Sequence, residues 1–131
     1  MFIAVAVNKS DQVAGHIGKC PHWAVYEVAL GEAGEPTVTL YERIELPKAL
    51  IFHHYQDDQP HPLLDCVAVV GGSAGESFQR KMAARGLETV LTAEPDPAKA
   101  VFDWLRDEVI PAKPRPVGGL ICKIRDALNP S

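Results

Sequence analysis

The chain has 131 residues, which suits one domain with a core large enough to need no disulfide or metal staple. Its hydrophobic content of 47% and charged content of 23% are typical of a soluble globular protein, and its net charge of −4 argues against a nucleic-acid partner. Three cysteines without a C-x-x-C pair favour free thiols in the cytoplasm, and no apolar run is long enough to predict a membrane span.

The first half of the chain predicts four strands. Phe2–Val7 is an apolar run rich in valine, typical of a strand buried on both faces. Trp23–Leu30 and Thr37–Leu46 flank a turn rich in glycine and proline, which predicts a hairpin. A long connection rich in proline and histidine, with a helical turn near Leu63, leads to a fourth strand over Cys66–Val70.

The second half predicts two helices around a fifth strand. A helix over Glu76–Arg85 is followed by a strand over Glu88–Leu91. Asp96 then caps a second helix that has proline at its first position. At helical spacing its predicted apolar stripe contains Ala98, Val101, Phe102, Leu105 and Val109.

These elements predict an α/β domain over residues 1–110 and a tail over residues 111–131. The tail begins as a proline-rich arm and ends in a short amphipathic helix over Gly119–Leu128. Its apolar positions are Leu120, Ile121, Ile124 and Leu128. Such a tail could cover an edge strand, swap onto a partner or stay disordered.

The topology predicts where a ligand would bind. The fourth strand, its helix and the fifth strand form a right-handed βαβ unit, so those two strands are parallel. If the first strand lies parallel to the fourth at the centre of the sheet, the loops after strands one, three and four open at the same edge. Ligands of open α/β sheets bind outside the carboxyl ends of strands.

The loop after the first strand carries metal-ligating side chains in Gly15-His16-Ile17-Gly18-Lys19-Cys20-Pro21-His22. Imidazole and thiolate are donors for transition metals and iron–sulfur species, so His16 is the principal candidate ligand. A histidine that only shapes the turn is the alternative. Cys20 and His22 could join His16, although Pro21 and Trp23 indicate that the chain is already entering the second strand, where one of them could point inward.

The loop after the third strand contains His53 and His54. Adjacent histidines cannot easily bind one ion with regular geometry, and we take His54 as the one that could reach the site. The alternative is a solvated polar loop. The predicted metal ligands are therefore His16, Cys20, His22 and His54, whereas Cys66 is expected to be a buried, inert thiol.

The loop after the fourth strand, Gly71-Gly72-Ser73-Ala74-Gly75, matches the G-x-S-x-G pattern of hydrolases. No histidine follows Ser73 as the order of that triad requires, so we predict no catalytic residue. The better interpretation is a glycine loop at a helix N-terminus that favours an anion, with Lys19 as nearby positive charge; a tight packing turn is the alternative. The predicted cofactor-binding residues are Gly15, His16, Gly18, Lys19, Cys20, Gly71, Gly72, Ser73 and Gly75.

The loops after the first and fourth strands, with the strands before them and the later segment Arg85–Thr92, resemble the dinitrogenase iron–molybdenum cofactor biosynthesis family. This family includes NifX- and NafY-type carriers. The resemblance implies a three-layer α/β/α fold with a mixed five-stranded sheet and a ribonuclease H-like motif. It also implies non-catalytic binding of the iron–molybdenum cofactor or an iron–sulfur precursor, with nitrogenase or cofactor-assembly proteins as partners.

The chain departs from the family pattern at both loops. Ile17 and Lys19 replace the aromatic residue and the arginine of the usual G-H-F-G-R, and Ser73, Ala74 and Glu76 depart from G-G-M-G-x-G. The resemblance therefore supports the fold more strongly than it supports the usual cargo. A regulatory or binding module of the same fold, holding a simple metal ion or a small anion, is the alternative function.

Overall fold

Five strands and two helices make up the computed structural model, which describes residues 1–106. Single 3₁₀ turns over Ile17–Lys19 and Lys48–Leu50 lie in the connections. The regular elements are β1 (Phe2–Ala6), β2 (His22–Leu30), β3 (Pro36–Glu45), β4 (Ala68–Gly71), α1 (Glu76–Ala84), β5 (Glu88–Leu91) and α2 (Pro97–Leu105).

The strands form one mixed sheet in the order β3-β2-β1-β4-β5. β2 pairs antiparallel with both β1 and β3, so the predicted hairpin is confirmed. β1 is parallel to β4, and β4 is parallel to β5. The central parallel pair on which the predicted convergence of loops depends is therefore present.

Both faces of the sheet are covered. On one face, α1 and the connection after β3 bury Met82, Phe52 and Leu63 against strand residues such as Trp23. On the other face, α2 packs against an aliphatic surface that includes Ile3. Because β1 and β4 lie between two apolar layers, almost every residue in them is buried, as their valine-rich sequences predict. The predicted three-layer α/β/α fold with a mixed five-stranded sheet is confirmed.

Two local predictions need correction. The apolar stripe of α2 runs through Ala100, Val101, Trp104 and Leu105, whereas Phe102 is half-buried and lies under the guanidinium of Arg106, 4.4 Å from its ring centre. Cys66 precedes β4 rather than opening it, because its amide N–H donates to Leu63 O (3.1 Å) in a turn.

The predicted arm and short helix over residues 111–131 lie outside the described residues, as does Val109. Within residues 1–106, no helix combines the length and the apolar character needed to cross a membrane.

Candidate functional site

The loops that follow β1 and β4 lie side by side at the carboxyl edge of the sheet. The amide N–H of Gly72 donates to Ala14 O (2.8 Å), and that of Ile17 donates to Ser73 O (3.1 Å). His16 and Ser73 form a parallel bridge between the loops. These bonds continue the parallel pairing of β1 with β4 beyond the sheet, so the predicted meeting of the two segments is confirmed.

The glycines after β4 allow this close approach. A Cβ atom on Gly71 would lie 2.2 Å from Ile17 Cγ1, and one on Gly72 would lie 3.1 Å from Gly15 Cα. Ile17 is fully buried and cannot move into solvent to make room. Gly71 and Gly72 therefore serve the packing of loop on loop, and cofactor binding by these two glycines stays a prediction.

A hydrogen bond to Ser73 fixes the imidazole of His16. Ser73 Oγ lies 2.7 Å from Gly15 O and 3.2 Å from His16 Nδ1. Because a carbonyl oxygen can only accept, the single hydroxyl proton is assigned to the shorter bond with Gly15 O, and Oγ then accepts from Nδ1–H. In this tautomer Nε2 of the exposed His16 ring carries the lone pair. A ring nitrogen in this form can bind a metal.

The connection after β3 brings a second histidine to the same edge. The amide N–H of His53 donates to Gly18 O (2.8 Å). The preceding residue, Phe52, is buried and packs edge-to-face on Phe78, with 5.9 Å between ring centroids. His53 is thus held by a backbone bond on one side and by an aromatic anchor next to it.

A buried imidazole supports that anchor from below. His61 stacks on Phe52 with 4.4 Å between ring centroids. Its Nε2–H donates to Leu50 O (2.7 Å), and its Nδ1 accepts from the amide of Leu63 (3.1 Å). Burial, reinforced by the charge of Arg85, lowers the pKa of His61, so the ring is neutral and both nitrogens are used. Its role is structural, because its two hydrogen bonds tie Leu50 to Leu63 within the connection that carries His53.

The three segments enclose a cavity of about 420 Å³, which we call the rim cavity. Its volume is in the range of small-molecule and cofactor sites. Of the predicted binding residues, five line it: His16, Gly18, Lys19, Ser73 and Gly75. The other lining residues are Ile17, His53, Ala74, Ser77, Phe78 and Lys81.

The rim cavity has a positive lining although the chain is acidic overall. Lys19 and Lys81 are part of the lining, and its eleven residues include no aspartate or glutamate. The cavity also adjoins the N-terminus of α1, where Gly75 provides no side-chain cap. The first amide bonded within the helix is that of Gln79, which donates to Gly75 O (3.1 Å), so the amides before it have no partner inside the helix. Such an end attracts anions.

Several predicted ligands lie elsewhere. The thiol of Cys20 is buried and approaches His22 O (3.1 Å) and Val7 O (3.4 Å), and burial raises its pKa. His22 lines a different cavity, together with Lys9 and Arg43. His54 and Gly15 are exposed but do not line the rim cavity. Across residues 1–106, no three His, Cys, Asp or Glu side chains are grouped so that they could hold a metal ion, so His16, Cys20, His22 and His54 do not form one centre.

Sequence reasoning missed His53 and Lys81 as lining residues. Both left a signal. The backbone bond to Gly18 selects His53 rather than His54. Only the fold brings the loop after β3 beside the loop after β1. Lys81 lies four residues after Ser77 on α1, so it shares the face that borders the cavity.

Comparisons with known proteins agree with this architecture. A family model described as dinitrogenase iron-molybdenum cofactor matches residues 1–107. A search of curated proteins gives no match. Five chains of solved structures match; one, titled "Crystal structure of PH0822", is 16% identical to this chain. The alignment with it has a TM-score of 0.63 and covers 83% of this chain and 92% of that chain. At this identity the likeness supports the fold alone.

Proposed function

This chain belongs to the dinitrogenase iron-molybdenum cofactor family, and from that premise we propose that it is a non-enzymatic carrier whose cargo is the iron–molybdenum cofactor or an iron–sulfur precursor cluster. The observation that carries the proposal is the rim cavity, whose lining has two imidazoles, two ammonium groups and no carboxylate. It adjoins the N-terminus of α1, where Glu76 in the first turn is the one nearby acidic residue of the helix end. An anionic cluster needs this combination of donors, positive charge and amide N–H groups.

Within the cavity, His16 is the proposed principal ligand. Ser73 holds the His16 ring with its Nε2 free, so the ligand is oriented before cargo arrives. His53 offers a second imidazole from the opposite loop, and Lys19 and Lys81 balance the charge of the cargo. Two imidazole donors suit a carrier that must release its cluster, whereas a set of four thiolates would retain it.

The contact between Ser73 and His16 also raises the possibility of hydrolysis, and the geometry disfavours it. A serine nucleophile donates its proton to the base, but here the hydroxyl donates to Gly15 O. Among the lining residues no carboxylate is present to orient the imidazole. We therefore expect no ester turnover that Ser73→Ala could abolish.

A second candidate function is a module that holds a small anion or a simple metal ion. The two lysines in the lining of the rim cavity favour a small anion, while two histidines alone leave a zinc ion short of its usual three or four protein ligands. Calorimetric titration with inorganic phosphate and with zinc measures both. Tight binding of either one, together with no binding of cluster, would favour this alternative.

Anaerobic titration of the purified chain with isolated iron–molybdenum cofactor, and separately with its iron–sulfur precursor, tests the carrier proposal. We expect His16→Ala to weaken binding at least tenfold, because the oriented ligand is lost, and His53→Ala to weaken it by a smaller factor. Lys19→Gln and Lys81→Gln should weaken binding mainly at low salt, because exposed charges are screened as ionic strength rises.

The chain supplies matched controls for these variants. His54 is the sequence neighbour of His53 but does not line the cavity, and His22 lines a different one. His54→Ala and His22→Ala should therefore bind cluster like the parent. If they weaken binding as much as His16→Ala does, the rim cavity is not the site.

If binding is confirmed, the proposed partners are nitrogenase or cofactor-assembly proteins, in the cytoplasm. Transfer of cluster to apo-nitrogenase, followed by recovery of its activity, tests this step. A chain that binds the cluster but does not transfer it to an acceptor protein would contradict the carrier role.

A further inference from the structure

A second groove, which shares no lining residue with the rim cavity, lies beside β3. It has a volume of about 230 Å³, and we call it the edge groove. Phe2, Tyr41, Ile44 and Cys66 supply its apolar surface, and Glu42 and Asp65 lie at its border. It contains no basic residue, so its charge is opposite to that of the rim cavity.

The edge groove leaves apolar surface exposed. The side of β3 away from β2 pairs with no strand among residues 1–106, since β3 is the edge of the sheet. In the same part of the chain the exposed large apolar residues are Tyr41, 60% exposed, and Leu40, 42% exposed. Tyr41 packs its ring on Phe2, with 4.8 Å between centroids. An acidic, aromatic groove beside an open sheet edge is typical of a surface that another segment covers.

We propose that the occupant is the C-terminal segment of the same chain, residues 119–128, which we call the tail segment. Placed on a helix, Leu120, Ile121, Ile124 and Leu128 fall on one side. Lys123 and Arg125 flank that side. The apolar side matches the floor of the edge groove, and the flanking cations match Glu42 and Asp65.

Charge distinguishes the tail from the rest of the chain. Residues 111–125 contain Lys113, Arg115, Lys123 and Arg125 and no acidic residue, whereas the whole chain has a net charge of −4. A basic stretch of this kind is attracted to the edge groove and repelled by the two lysines of the rim cavity. A second copy of the domain would bring acidic groove against acidic groove, which is unfavourable.

The connecting chain is long enough. α2 packs across the face that β1, β2 and β3 share, so it leads the chain from β5 towards the β3 edge. Residues 107–118 then separate α2 from the tail segment, and three prolines among them favour an extended arm. Twelve such residues reach roughly 40 Å at about 3.1 Å each. Passing from one layer to the other requires roughly 20 Å, two layer spacings of about 10 Å.

Paramagnetic relaxation in the full-length protein tests the proposal. A nitroxide is attached to Cys122, which helical spacing places on the side away from the apolar positions. Cys20 and Cys66 are buried with raised pKa values, so they react slowly. We expect the amide signals of Phe2, Tyr41 and Asp65 in the ¹⁵N-labelled chain to broaden, and those around the rim cavity to stay sharp.

Two further samples make the result decisive. Mixing spin-labelled chains of natural isotope content with ¹⁵N-labelled chains without nitroxide detects contact between copies. Broadening at the edge groove in the mixed sample shows that the tail segment of another copy reaches the groove and overturns the proposal. No broadening at the groove in either sample shows that the tail segment lies elsewhere and also overturns it.

Paired variants separate docking from unfolding. Ile124→Asp should abolish the broadening, and Asp126→Asn, on the outer side of the tail segment, should retain it. In the groove, Tyr41→Ala should weaken the broadening severalfold. Leu40→Ala is its control, because Leu40 is exposed but does not line the edge groove. Equal broadening in Tyr41→Ala and Leu40→Ala would contradict docking at this site, and the proposed cargo function would be unaffected.

Discussion

Substituting Gly71 by alanine tests how the two loops are held together. The new Cβ would lie 2.2 Å from Ile17 Cγ1 and 2.8 Å from Ile17 Cδ1. Ordinary contacts between carbon atoms are roughly 3.5–4.0 Å, so the loops must separate by about 1 Å or more. Ile17 has no exposed surface through which it could retreat. The substitution therefore forces the loop that carries His16 away from the loop that carries Ser73.

The expected cost follows from overpacking. Inserting a methyl group into a well-packed core costs about 1–3 kcal/mol, and we expect the upper half of that range because the clash involves a branched, buried side chain. Ile17→Ala alone should cost about 2–5 kcal/mol by leaving a cavity. In the double variant, the alanine methyl at position 71 occupies part of the vacated space. The two costs should then fall short of additivity by about 1–3 kcal/mol.

Urea unfolding of the four chains in this cycle measures the effect. With a slope of about 1.5 kcal/mol per molar, a loss of about 2 kcal/mol lowers the midpoint by about 1.3 M. Gly15→Ala is the matched control, because its Cβ would meet nothing within 4 Å and should leave the midpoint unchanged or slightly higher. A Gly71→Ala midpoint equal to that of the parent, or a strictly additive cycle, would refute this account of loop packing.

Three further predictions concern the frame around the site. Burial lowers the pKa of His61 below its value of about 6.5 in the unfolded chain. As the pH falls, this imidazole is therefore protonated in the unfolded state before it is protonated in the folded state. The free energy of unfolding should accordingly fall as pH decreases below about 6.5, with a smaller slope in His61→Gln; an unchanged slope in pH-dependent unfolding would contradict this. Burial raises the pKa of the Cys66 thiol to about 11, so its alkylation at pH 8, followed by mass spectrometry, should be far slower than that of a free cysteine; equal rates would be unexpected. Asp96 accepts from the amides of Ala98 and Lys99, so Asp96→Ala should cost about 1 kcal/mol in thermal unfolding, and Asp96→Asn should restore most of it.

Much of the fold was predictable because its signals are local. The valine-rich run of β1, the turn between β2 and β3 and the Asp96-Pro97 start of α2 each specify an element without reference to the rest of the chain. Trp104 shows the limit. It is almost fully buried, but the predicted stripe omitted it in favour of Phe102, because hydrophobicity alone does not distinguish two aromatic residues two positions apart on a helix.

The site was predictable in position but only partly in membership. His16 and Ser73 lie where the parallel pairing of β1 and β4 requires. The selection of His53 over His54 depends on one backbone bond to Gly18, and the inward turn of Cys20 depends on carbonyl groups of Val7 and His22. Such contacts arise only when distant segments meet, so a pattern of residue types could not reveal them.

The central claim is that the rim cavity holds an anionic metal cluster through His16. The most direct test is to load the full-length protein anaerobically with isolated iron–molybdenum cofactor, separate it by gel filtration and measure iron and molybdenum on the protein fraction. The account predicts about one cluster per chain for the parent and for His54→Ala, and almost none for His16→Ala. Equal metal content in His16→Ala and the parent would contradict it.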